Sequence, residues 1–308
     1  MNTLYAPSVC CVILMAAMGC QRIGTHRLEM QKAVDEVDTR MLEYYRAHSE
    51  WTNPGTQEEM YQGIPNDVPS IVKAVQGVLT RSHPNPSEAQ DKGWEIRRTD
   101  ELLRRIRELH DEPIGATRPM AKRLLVNCRQ FSVLTCSILR HNGIPARARA
   151  GYLVVPSAEV VYENHWICEY WEAAERRWIQ INVGVGQIDM PEGRFVTAGE
   201  GWRRYRLGEA ELETFGVSGH SMGWDMVVGN VTCDAMALNK TELLPWDVNP
   251  HWNKKKEELA ASDIGVIDDA AALCREVDSR WEELRDFYDG HPSIRMPADF
   301  DGKEQPAE

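Results

Sequence analysis

The chain has 308 residues, 43% of them hydrophobic and 27% charged, a globular composition rather than a disordered or fibrous one. At this length a chain buries roughly 75% of its unfolded surface, so its stability needs neither disulfides nor a structural metal. Lys and Arg total 35 against 47 Asp and Glu, a net charge of −12; this repels phosphate backbones, no basic stripe reverses it locally, and no nucleic-acid partner is expected.

Val9 to Met18 (VCCVILMAAM) is an apolar run too short to span a bilayer but suited to a signal-peptide core. With Gly19-Cys20-Gln21 it resembles the lipobox of bacterial lipoproteins, in which Cys20 becomes the lipidated first residue. That resemblance implies a signal over 1–19 and a cell-envelope protein, exported or tethered to the membrane through Cys20. No later stretch approaches spanning length. The remaining chain divides into an N-terminal helical region (20–126), a core with its extension (127–250), and a C-terminal helix with a polar tail (251–308).

Along the chain, residues 28–48 place Leu28, Val34, Val37, Met41, Leu42 and Tyr45 on one helical face, and Asn53-Pro54-Gly55 breaks the pattern. Residues 67–81 read as a second helix, 82–91 as a polar loop with two prolines, and 99–110 as a charged amphipathic helix. Residues 128–142 form a helix stopped by Gly143, with Pro145 just beyond. Arg147 to Val155, His165 to Trp171 and Arg177 to Val183 read as strands, the last two joined by a loop over Glu172 to Glu175. The stretch 190–260 is mixed and rich in Gly and Trp, and a final helix is expected at about 266–288. The fold class is α+β: helices first, then a small antiparallel sheet.

Beyond the N-terminal segment five cysteines remain, at 128, 136, 168, 233 and 274, an odd number with no metal-type cluster, so at least one thiol stays free. Cys128 opens a predicted helix, where unpaired backbone N–H groups carry partial positive charge and favour thiolate over thiol. Cys136, two turns on, reads as core. His165 is the candidate base. The hairpin loop pairs Trp171 with Arg176 and sets His165 opposite Asn182 on one face, where Asn182 can orient the imidazole. Cys168, three residues past His165, falls on the other face. A loop changed by one residue would turn Asn182 away.

Asn127-Cys-Arg-Gln-Phe-Ser, the helix end Ile138-Leu-Arg-His-Asn-Gly-Ile-Pro-Ala-Arg, Gly151-Tyr152, Asn164-His-Trp and Trp178-Ile-Gln-Ile-Asn182 resemble, in order and spacing, the transglutaminase-like superfamily. The continuation is similar to bacterial transglutaminase-like proteins through Arg194-Phe-Val-Thr-Ala-Gly-Glu-Gly-Trp202, Ala237-Leu-Asn-Lys and Glu242-Leu-Leu-Pro-Trp-Asp247. The resemblance implies a papain-like or transglutaminase-like core with N-terminal helices packed on the sheet. It makes Cys128 the nucleophile, His165 the general base and acid, and Asn182 the third catalytic member. The family's usual residue there is Asp; Asn orients a neutral imidazole but cannot stabilise imidazolium by charge. Asp189 is a carboxylate that could substitute.

The expected activity is thiol-dependent acyl transfer that hydrolyses peptide or side-chain amides of a peptide or protein substrate, with no metal or organic cofactor. Amide cross-linking, or an impaired binding or scaffold module of the envelope, are the alternatives. The Cys128 N–H is one oxyanion donor; the Trp94 indole and the Gln76 amide are candidates for the second. His220 and Trp224 sit in a Gly-rich stretch able to line a cleft, and Asn230-Val-Thr reads only as a glycosylation sequon.

Overall fold

The computed structural model describes residues 39–81, 93–156, 160–217 and 222–300. The signal-like run, Cys20 and His220 lie outside them. Contacts divide the chain into Met1–Leu42 and Glu43–Glu308. Residues 39–42 of the first unit are helical; the second unit holds the sheet, its surrounding helices and the candidate site residues.

Helix α1 (Val68–Val78) begins where Asp67 accepts the Ser70 N–H at 2.8 Å, with Pro69 in its first turn. It stops three residues short of the expected end. Leu79 turns extended, and β1 (Leu79–Thr80) pairs in parallel with β2 (Leu124–Leu125). The apolar pattern continues through Leu79 on either reading, so periodicity alone does not separate a buried two-residue strand from a last helical turn. The difference matters, because it carries Arg81 alongside the segment that leads into Cys128: the Val126 N–H donates to the Thr80 carbonyl at 2.9 Å. Helix α2 (Thr99–Leu109) buries Leu102, Leu103 and Ile106, as its amphipathic pattern requires.

Helix α3 (Cys128–His141) is buried on every side from Arg129 to Arg140. It leads into an antiparallel sheet of β3 (Ala146–Val154), β4 (Tyr162–Glu172), β5 (Arg177–Asn182), β6 (Gln187–Ile188) and β7 (Phe195–Thr197), in the order β6-β5-β4-β3-β7. β7 lies so close over β3 that a Cβ on Gly151 would come within 2.3 Å of the Val196 carbonyl oxygen. The short strand β8 (Phe215–Gly216) joins β4 in parallel at Tyr162 and Glu163.

The β4–β5 register differs from expectation by two residues. Glu172 pairs with Arg177 and Trp171 with Trp178, so the loop is 173–176, closed by Arg176 in the left-handed region at φ 52°. A two-residue shift preserves side-chain parity. Asn182 therefore stays on the His165 face, as a diagonal neighbour rather than a direct cross-strand partner.

The Gly- and Trp-rich stretch holds two helices, α4 (Ala198–Arg206) and α5 (Trp224–Leu238), the latter buried from Val227 to Leu238. The expected single C-terminal helix starts earlier and is broken at Glu276 into α6 (Ala261–Arg275) and α7 (Val277–Gly290). With helices around an antiparallel sheet, the fold is α+β.

Candidate active site

Two side chains of the Asn-Cys-Arg-Gln motif fasten the start of α3 to the segment before it. The Arg129 guanidinium donates to the Ile96 carbonyl at 3.1 Å and to that of Arg97 at 2.7 Å; the Gln130 amide donates to the Trp94 carbonyl at 2.7 Å. Asn127 caps the helix, its side chain accepting the Arg129 N–H at 2.9 Å. Cys128 is thereby held as the first helical residue, in the field of the helix N-terminus. No hydrogen bond among the described residues takes up its own N–H.

The sheet supplies the rest through a gap. On the edge of β4 away from β3, β8 covers residues 162–163 and β5 covers 168–172. Residues 164–167 have no described strand on that side, and Cys128 meets the sheet there, its sulfur accepting the backbone N–H of Trp166. His165, 2% exposed, occupies the same gap. Its Nε2 donates to Oδ1 of Asn182 at 3.0 Å, which leaves Nδ1 as the nitrogen for its hydrogen bond with the Cys128 thiol.

Burial opposes ionisation of the Cys128 thiol. The His165 charge and hydrogen bond, the Trp166 N–H and the Arg81 guanidinium outweigh it and lower the thiol below its ordinary value. Burial likewise works against protonated His165, but Cys128 and the Asn182 oxygen raise the imidazole above its ordinary value. Arg81 opposes that rise while lowering the thiol. Both shifts run in the direction that favours a thiolate–imidazolium pair.

The other cysteines stand apart. Cys136 is buried, with its sulfur 3.4 Å from that of Cys168 on the sheet face opposite His165. Cys233 and Cys274 are buried, and burial raises both thiols. All five are free thiols.

Several expectations for the surroundings are corrected. Asp189 cannot stand in for Asn182: both its oxygens accept from Arg177, at 2.8 and 2.7 Å, on an exposed part of the sheet. The Gln76 amide donates to the Val183 carbonyl at 3.0 Å, where it braces the turn after Asn182, and is not on the wall of the cavity beside Cys128. Trp94 contributes its carbonyl as the acceptor for Gln130 and is not on the cavity wall. Trp224 is not on that wall either; its neighbours Asp225 and Met226 are.

Sequence reasoning missed Arg81, read as a helix end, and the cavity of about 550 Å³ beside Cys128. Glu163, Asn164, Asn230 and Trp246 line that cavity with Arg81. Glu163 and Asn164 adjoin the His165 motif, a signal available in the sequence; Arg81, Asn230 and Trp246 arrive by long-range folding.

Residues 110–183 match the transglutaminase-like superfamily. No curated protein matches the chain. A solved structure from Cytophaga hutchinsonii, provisionally described as a cysteine protease, is 17% identical over 51% of this chain and 45% of that one, with a TM-score of 0.32. The similarity thus spans less than half of that protein's length. Cys128, His165 and Asn182 all fall within the family match, and over residues 110–183 the chain carries a transglutaminase-like domain.

Proposed function

We propose that the protein is a thiol-dependent acyl-transfer enzyme that cleaves peptide or side-chain amides through a Cys128 thioester. At the coarser level, the transglutaminase-like domain supports a cysteine-type enzyme. The single observation that carries the finer reading is the hydrogen-bonded series Cys128–His165–Asn182, with the imidazole 3.0 Å from the Asn182 oxygen and its other nitrogen on the thiol. The thiolate attacks the substrate carbonyl, and the negative charge that develops on its oxygen is met by the free Cys128 N–H at the helix start. The tetrahedral species collapses: the C–N bond breaks, and the His165 imidazolium gives its proton to the departing amine. Neutral His165 then takes a proton from water, whose oxygen attacks the thioester and releases the acid and the thiol.

Asn182 fixes the Nε2–H tautomer and aims Nδ1 at the sulfur without adding charge. That neutral third member favours a second reading, a binding or scaffold module with impaired chemistry. Water needs no acceptor site of its own, which favours hydrolysis over amide cross-linking. The resemblance at Gly19-Cys20 extends the proposal to the cell envelope, with Cys20 as lipid anchor.

Mass-mapped iodoacetamide alkylation of each cysteine from pH 5 to 9 tests the reading. Cys128 is expected to react fast at pH 6 in the wild type and slowly in His165→Ala. Reaction as an ordinary thiol, with a pKa near ~8.5 in both proteins, would favour the binding module.

A further inference from the structure

The cavity beside Cys128 contains charges that the acyl-transfer step does not use. Glu163 lies two residues before His165 on β4, so both side chains leave the same face, roughly 7 Å apart along the strand. Asp225 stands in the first turn of α5. Both line the cavity, and neither carboxylate makes a hydrogen bond or ion pair among the described residues. Arg81 is also on the wall, but its field acts on Cys128 and His165. The wall thus carries two carboxylates against one guanidinium.

Two amides also stand on the wall. Asn230 is 2% exposed and its amide nitrogen donates to the Met226 sulfur at 3.8 Å. Asn164 Oδ1 is buried with no hydrogen-bond partner. A buried oxygen left unpaired costs free energy that a donor brought by a ligand would recover. Trp246, 50% exposed on the same wall, offers an aromatic face to an aliphatic stem or a cation.

We infer that this cavity is the subsite for a substrate residue bearing an ammonium or guanidinium group, counter-charged by Glu163 and Asp225, with the unpaired Asn164 oxygen as acceptor for the adjoining peptide group. The inference rests on the acyl-transfer reading, for which it names the substrate class: peptides with a basic residue near the cleaved amide. The nearly isosteric neutral residue would leave Glu163 and Asp225 with only Arg81 to balance them, and an acidic residue would add a third carboxylate.

The test uses N-acetyl tripeptidyl chloromethyl ketones with lysine, norleucine or glutamate at each position in turn, against the whole protein. The Cys128 sulfur displaces chloride and the mass gain on Cys128 gives the rate. The expected result is lysine about tenfold faster than norleucine at one position, glutamate slower than both, and the lysine advantage shrinking toward unity in 1 M NaCl, where the Debye length is about 3 Å. In the double variant Glu163→Gln, Asp225→Asn, checked for folding by circular dichroism, the lysine-to-norleucine ratio is expected near one. No lysine advantage at any position, or one that survives 1 M NaCl and both substitutions, overturns the inference. Should the double variant not fold, the salt dependence in the wild type decides alone. Rates are taken at pH 8.5, where even an ordinary thiol is about half ionised. The ratio thus reads the cavity whether or not His165 activates the sulfur, and alkylation at pH 6 judges the acyl-transfer reading separately.

Discussion

His165 and Glu169 lie four residues apart on the same face of β4, and the protein treats their charges in opposite ways. Glu169 accepts from Arg147 at 2.7 Å, from Arg149 at 3.4 Å and from the Gln180 amide at 3.1 Å. Arg149 in turn holds Asp234 of α5 through two hydrogen bonds of 2.9 Å. These charges are permanent and surrounded. His165 has one neutral partner on β5, Asn182, and its other nitrogen belongs to a thiol at the wall of a cavity. Its charge comes and goes with a proton, which burial disfavours and the Cys128 sulfur and Asn182 oxygen favour. The same strand thus carries a fixed ion network that organises the interior and, one helical end and one strand gap away, a charge pair that can be made and unmade. A site for proton transfer needs the second arrangement, and the first holds it still.

The largest expected effect breaks the fixed side. Burial raises the Glu169 carboxyl, but the Arg147 and Arg149 charges and the hydrogen bonds from Arg147 and Gln180 outweigh it and hold the group at about 2. Its folded value lies below the ordinary 4.5, so its contribution is complete above that pH and drains as the pH falls toward 2. Glu169→Gln leaves two buried guanidinium groups short of a counter-charge. A loss of about 3–5 kcal/mol is expected in urea unfolding at pH 7. The gap between variant and wild type should narrow as the pH drops below about 4, since the wild type then loses the same charge. An equal gap at pH 7 and pH 3 would show that packing, not charge, is what Glu169 supplies.

On the switchable side, His165→Ala is expected to slow Cys128 alkylation at pH 6 by about 100-fold. An ordinary thiol is then well under 1% ionised, since its pKa is near 8.5. In the wild type the reactive species appears as the pH rises through the lowered thiol value. The acid–base pair is lost as the pH rises further through the raised imidazole value, so amide turnover should follow a bell. Asn182→Asp sharpens the comparison by giving His165 a carboxylate of the kind Glu169 gives the arginines. Its alkaline limb should move up by about one pH unit, read from the pH dependence of turnover. No movement would mean that the 3.0 Å contact to Asn182 sets geometry alone.

What the sequence made legible depends on how locally each feature is encoded. Cys128 is placed by Asn127, Arg129 and Gln130, all within a few residues, and His165 with Asn182 by one hairpin whose parity survives a two-residue error in register. The α+β order could be read from the change of period near Gly143. Arg147 and Arg149 alternate with Ala in a way that suggests a solvent face, yet both are almost fully buried. Glu169, the distant Asp234 and Asp278, and the Trp178 ring over which Arg147 lies, explain that, and these pairings are invisible until the chain folds. The helix α5 itself was hidden because it is buried nearly all round and so lacks an amphipathic signal. Arg81 was missed because two residues, Leu79 and Thr80, leave the helix to pair with Leu124 and Leu125.

Arg81 gives the smallest expected effect and the finest test of how the switchable pair is tuned. Its charge lowers the Cys128 thiol and, in the opposite sense for the pair, lowers the His165 imidazole. Arg81→Gln should therefore move the acid limb of Cys128 alkylation up by a few tenths of a pH unit and the alkaline limb of turnover up as well, sliding the window rather than closing it. Because Arg81 is exposed, salt screens it: the difference from wild type should fade by 1 M NaCl, where charges more than about 3 Å apart in solvent scarcely interact. A shift of the acid limb alone would assign Arg81 to the thiolate only. A shift in both limbs that persists at high salt would mean that the side chain holds the β1–β2 segment in position rather than acting through its field.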